Sequence, residues 1–309
     1  MALAVAVVLG GLVFAYYATY LLDRSTSTDR ARSDKNAQKA VDREGAAFVS
    51  TITPIDYEQD MPEAVVIVLD RPLTDREQAA LTALKGGNKA SVWAYLKSLG
   101  GRLIEYTFTA ALPKPLADGH EITPGSKSQT FKLNLNSDRG AGLTINGMTA
   151  VKDSCGAPTA KTVVDIPPAG SSARPGLLWD LAGGQTDRPK GPYVLDDGAN
   201  QGELYFRKNV VDLGNGQSNM AFLVQPEVTT QTCTWHIDAS YTDTSGSHVQ
   251  RIPSGSGTIT TEAVPQQPVQ YFGWVIGQGW GCIGQMSQKG CTATKTLEQN
   301  RPTTRPDPQ

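Results

Sequence analysis

Two hydrophobic patterns divide this chain. At its start, Ala2 to Leu22 is an apolar run without a single charge. As a helix it would extend about 31 Å, close to the hydrocarbon thickness of a bilayer. From about residue 123 the pattern alternates instead. Phe131, Leu133 and Leu135 interleave with Lys132, Asn134 and Asn136, and Cys233, Trp235, Ile237, Ala239 and Tyr241 interleave with Thr234, His236, Asp238 and Ser240. A period of two marks strands with one face on a core and one in water. Further strands are expected near 142–152, 161–166, 177–181, 203–212, 218–225, 246–252, 256–263 and 268–276. Turn signals such as Gly214-Asn215-Gly216 and Ser245-Gly246 separate them.

Between these regions lies a mixed stretch. Ala64 to Leu69 is a continuous apolar run of strand length. Thr74 and Glu77 form a capping-box pattern that opens a short helix through Leu84. A second helix is expected from Lys89 to Leu99, with Val92, Trp93, Leu96 and Leu99 at helical spacing and Gly100-Gly101 at its end. Arg102 to Ala111 returns to strand character, giving a strand–helix–helix–strand unit.

The expected organisation follows. Residues 1–22 form a transmembrane helix, 23–45 a polar stalk, 46–115 a small α/β juxtamembrane unit, 123–296 an antiparallel β-sandwich and 297–309 a disordered tail. The fold class is mainly β. Short antiparallel strands with a core Cys and Trp make the sandwich resemble immunoglobulin-like domains, although Trp235 follows Cys233 by two residues rather than lying between two cysteines.

Composition adds the compartment. The 31 Gly and 19 Pro residues fit many short strands joined by turns. A net charge of -2 gives no electrostatic reason to expect nucleic acid. No base precedes the apolar run, which exceeds the 7–15 residues of a signal-peptide core, and no Ala-x-Ala follows it. It therefore reads as a retained anchor, with Tyr16, Tyr17 and Tyr20 toward the interface. The bases Arg24, Arg30, Arg32, Lys35, Lys39 and Arg43, counted literally, would hold the large region in the cytoplasm. The four cysteines argue the other way. Of three pairings, Cys282 with Cys291 suits a closed hairpin, leaving Cys155 and Cys233 to bridge two strands. Closing the short loop would add about 2–3 kcal/mol in the chain-entropy picture.

Candidate chemistry is sparse. Gly279, Gly281 and Gly284 match Gly-x-Gly-x-x-Gly, but too little chain follows to complete a βαβ unit. His120, His236 and His248 are the only histidines; His236 shares a strand face with Asp238 and Ser240, about 7 Å apart per step, too far for a direct proton relay. Asp196, Asp197, Asn200 and Glu203 offer oxygens for calcium without EF-hand spacing. Asp56, Glu58, Asp60 and Glu63 read as solvated surface. No catalytic, cofactor or metal residue is expected. Trp280, flanked by glycines, is the candidate exposed contact residue.

Val211-Asp-Leu-Gly-Asn-Gly-Gln-Ser218 ahead of Thr234-Trp-His-Ile237, behind an apolar helix and a short mixed segment, resembles uncharacterised single-pass membrane-anchored proteins of actinobacteria. The resemblance is one of layout over most of the chain. It implies the cell envelope and supplies no activity. The leading expectation is an extracytoplasmic β-sandwich that binds or scaffolds through loops at 167–200 and 277–291. Its partners would be the membrane and an unknown envelope protein, with homodimers through the small-xxx-small pairs Ala6/Gly10 and Gly11/Ala15. The alternatives are an exported hydrolase and an accessory subunit of a membrane assembly.

Overall fold

The computed structural model describes residues 46–106, 127–167, 176–182, 191–195, 199–216, 219–277 and 279–282. The chain is mainly β, in sheets of eleven and five strands. The longer sheet runs β1 (Val49–Pro54), β5 (Phe131–Asn136), β11 (Met220–Glu227), β4 (Lys127–Ser128), β3 (Arg102–Tyr106), β2 (Val65–Leu69), β7 (Thr162–Ile166), β15 (Gln270–Val275) and β16 (Gly279–Cys282). β8 (Gly176–Asp180) and β9 (Tyr193–Leu195) branch from β11. The shorter sheet orders β10 (Val211–Leu213), β6 (Leu143–Gly156), β12 (Thr232–Asp243) and β13 (Gly246–Ile252), with β14 (Ile259–Thr261) also on β12.

The expected strand–helix–helix–strand unit is present. Helix α1 (Asp75–Ala83) starts at a complete capping box, in which Thr74 accepts from Glu77 N and Glu77 Oε2 accepts from Thr74 N at 2.9 Å. Two guanidinium hydrogen bonds from Arg71, joined by the Thr74 contacts, hold the Glu77 carboxyl down at about 2. Helix α2 (Lys89–Ser98) is capped by Asn88, and Gly100, with φ of 87°, turns the chain into β3. Leu81, Val92, Trp93 and Leu96 seat both helices on Val65, Ile67 and Leu69 of β2.

Directly paired residues share a sheet face, so the register shows which side each layer covers. Ile67 pairs with Leu103 under the helices, while Val66 pairs with Ile104 on the other side. Glu105 continues the helix side through Ser128 to Glu227. Along β11, Val224 then points the opposite way, into the core shared with the five-stranded sheet. Helices and second sheet therefore cover opposite faces of one long sheet, at opposite ends. The sandwich core is aromatic at its centre: the Trp179 and Trp235 rings stand 6.3 Å apart, and Phe131 lies 6.4 Å from Trp235.

The pairing departs from the sequence reading in three ways. β7, β15 and β16 do not stay within a self-contained sandwich at 123–296. They extend the sheet of β2 and β3, and β7 is buried along its whole length, as a strand covered on both faces must be. Two pairs, β7/β15 and β8/β11, are parallel. The strand expected at 203–212 is a 3-10 turn at Tyr205–Arg207 followed by the short β10. The segments expected to form a transmembrane helix (1–22), a stalk (23–45) and a tail (297–309) lie outside the described residues. Among the described residues no helix is long and apolar enough to cross a membrane.

Candidate functional site

A cluster of titratable groups sits on the outer face of the five-stranded sheet. Between Thr234 and Trp235 the β6/β12 register shifts: Thr234 pairs with Ser154 and Trp235 with Lys152, leaving Asp153 as the extra, bulged residue. A bulge re-aims its side chain. The Asp153 carboxylate here lies beside two nitrogens: Oδ1 is 2.9 Å from His236 Nδ1, off the hydrogen-bond direction, and Oδ2 accepts from Arg251 Nη2 at 3.2 Å. His236 Nε2 lies 3.5 Å from Asp238 Oδ1. Hydroxyls beside the cluster are engaged with each other, Ser154 Oγ with Thr234 Oγ1 at 2.7 Å. Ser240, the neighbour suggested by strand alternation, pairs with Gly147 at a second irregularity. The cluster is thus an imidazole between two carboxylates with an arginine on one of them. Asp153 and Arg251 were invisible to local sequence reading because they arrive from neighbouring strands.

The Cys155–Cys233 disulfide lies beside this cluster. It joins directly paired residues of β6 and β12, Cα to Cα 4.1 Å, as the cysteine arithmetic expected. Cys233 is buried and Cys155 is exposed. Cys155 borders a hollow of about 300 Å³ lined by Lys152, Ser154, Leu181, Val228 and Thr230, where Lys152 Nζ donates to Leu181 O at 3.1 Å. Cys282 is also disulfide-bonded. Cys291 lies outside the described residues.

The helix-covered half concentrates its polar groups in two ties. Arg102 donates to both oxygens of Asp70, each at 2.8 Å, and to both of Glu262, at 2.6 and 2.7 Å. The guanidinium lowers the Asp70 carboxyl, and the two carboxylates raise Arg102. On the face away from the helices, Tyr106 and Tyr271 each donate to one oxygen of the buried Asp165 at 2.7 Å. Burial, reinforced by the Asp165 charge, pushes both phenols up. Lys127 stands 4.7 Å over the Tyr106 ring, its amine lowered by burial. Acids and donors here satisfy one another, which suits fastening strands more than turning over a substrate.

The remaining sequence candidates are placed as follows. Trp280 is not an exposed contact: it is 4% exposed, donates Nε1 to Leu84 O at 2.7 Å and packs edge-on against Trp274. The helix end beneath the two tryptophans explains this, since a Cβ at Gly86 would lie 2.2 Å from the Trp274 ring. Gly279 and Gly281 belong to the β15/β16 hairpin, pairing with Val275 and Gly273. Gly284, His120, Asp196, Asp197 and Gly198 lie outside the described residues, as does most of the expected loop regions 167–200 and 277–291. Glu203 pairs with Lys208. Among the described residues no three His, Cys, Asp or Glu side chains are placed to hold a metal. In the acidic patch Glu58 pairs with Lys97 and Asp56 accepts from Glu58 N. A more apolar hollow of about 420 Å³ opens where the two halves meet, between Ile52, Tyr57, Leu103, Phe131 and Ile259. No family model, curated protein or solved structure matches the chain.

Proposed function

We propose that the protein is a single-pass, membrane-anchored extracytoplasmic protein whose immunoglobulin-like β-sandwich binds or scaffolds at the cell envelope and does no catalysis. The observation that carries this reading is the Cys155–Cys233 bond, which has an exposed member on an open strand end. Such a bond persists in an oxidising compartment and is reduced in most cytoplasms. The uncharged run at 2–22 supplies the anchor. The ties around Asp165 and Arg102 support a fastening role for the polar groups.

Protease applied to spheroplasts tests this reading, combined with mass mapping of non-reduced peptides. Digestion of residues 46–282 from outside and recovery of a Cys155–Cys233 linked peptide are expected. Full protection of that region, with a cytoplasmic control also protected and a periplasmic control digested, would refute it. The alternative of an exported hydrolase has one observation in its favour, His236 between Asp153 and Asp238. It requires loss of a hydrolytic activity in His236→Ala with unchanged thermal stability.

A further inference from the structure

β1 is the outermost strand of the eleven-stranded sheet, paired with β5 along all six residues. Its other side meets no strand among the described residues. On such an edge every second residue directs its N–H and C=O outward, and natural edges are usually blunted by charge or by shortness. β1 has neither defence over residues 49–53, and Pro54 blunts its end alone. It reads Val49-Ser50-Thr51-Ile52-Thr53-Pro54, without a charge and with four β-branched residues. The open edge of the five-stranded sheet differs: β13 carries His248, 3.3 Å from Asp243, and Arg251, 3.2 Å from Asp153. The β1 edge is also held in place. Ala47 N donates to Gln250 Oε1 and Gln250 Nε2 to Phe48 O, both at 2.7 Å, and Ser137 Oγ donates to Ala47 O at 2.8 Å.

We propose that two copies of this chain join antiparallel through β1, continuing their long sheets across a two-fold axis. Matching the faces requires a residue to oppose its own copy, and Thr51 is the centre of the proline-free stretch 49–53. With Thr51 opposite its own copy, Val49 faces Thr53 and Ser50 faces Ile52. The exposed residues 49, 51 and 53 then share one surface, and the half-buried 50 and 52 the other. A shift by one residue mixes the two faces. Pro54 has no N–H and ends the ladder at its side. The inference rests on the anchored reading. A pair of short strands buries well below the roughly 1,000 Å² of a self-sufficient interface. Two copies held in one bilayer by residues 2–22 meet at effective concentrations of order mM, which makes so small a contact sufficient. β1 is the first described strand after the stalk, and this places the edge on the tethered side of the chain.

The test uses the full-length chain in native membranes. Thr51→Cys is compared with Val249→Cys, an exposed position on the edge strand β13, after treatment with a short bismaleimide. A covalent dimer about ten-fold more abundant at 51 than at 249 is expected from templated contact over random collision. Adding Thr53→Lys to Thr51→Cys should abolish it without lowering the melting temperature. Equal yields at both positions, indifference to Thr53→Lys, or an adduct with the mass of a different protein would each overturn the proposal. Release of the chain by alkaline carbonate would refute the anchor separately. The same preference for 51 over 249 is then required in concentrated soluble protein.

Discussion

The two ends of the long sheet are covered in contrasting ways. Over β1, β5, β11 and β8 lies a second sheet, and the space between is apolar and aromatic, with Trp179 and Trp235 fully buried. Over β2, β3 and β7 lie two short helices, and the opposite face carries a smaller apolar cluster beside the Asp165 tie. A broad sheet buries enough side chain to rely on packing, with a covalent bond at the strand ends. Two helices of nine and ten residues cover less, and that half adds charge-assisted hydrogen bonds, part-buried at Asp165 and Glu262. Such ties specify geometry but contribute modest net energy, because desolvation offsets much of their attraction.

Substitutions in the two halves sharpen this contrast. The largest loss is expected from Trp235→Ala, about 4 kcal/mol from the vacated core volume. Urea unfolding should show one transition if the long sheet unites both halves; two separated transitions would break the comparison into independent units. Replacing both Cys155 and Cys233 by Ala should cost about 3 kcal/mol, mainly through the freed unfolded chain. The measurement is the denaturation midpoint under non-reducing conditions.

In the helix half, Asp165→Asn should cost about 2 kcal/mol by leaving a phenol poorly paired. Absorbance titration should show Tyr106 and Tyr271 ionising at lower pH, though still above ordinary tyrosine, because burial is the larger cause of their shift. The smallest effect, about 1 kcal/mol, is expected for Thr74→Ala at the helix cap. The same site gives a signed pH dependence. Glu77 is depressed from an ordinary 4.5 to about 2, so its contribution is complete above 4.5 and disappears as pH falls through 2. Stability curves of the wild type and Glu77→Gln should therefore converge across that window.

Local signals were readable where local physics decides. The capping box at Thr74 and Glu77, the glycines ending α2, and the inward face of Cys233, Trp235, Ile237 and Ala239 all stand in the structure as their spacing implied. What failed was partnership between distant segments. Thr162–Ile166 looks like any apolar strand, and nothing local announces that it lies between β2 and a parallel β15. Trp280 between two glycines reads as exposed, yet the end of α1, remote in sequence, covers it. The Asp153–His236 approach depends on a bulge, which a period-two reading cannot see.

β4 has a further consequence. Among the described residues, the ladder linking one half of the sheet to the other passes through Lys127 and Ser128 alone. A plate narrowed to such an isthmus resists stretching but yields to torsion, since few hydrogen bonds oppose rotation about it. The hollow between Ile52, Leu103, Phe131 and Ile259 has a wall from each half, so its width is a gauge of that twist. The Arg102–Glu262 pair and the hydrogen bond from Glu262 N to Gln129 act as stays that set the gauge.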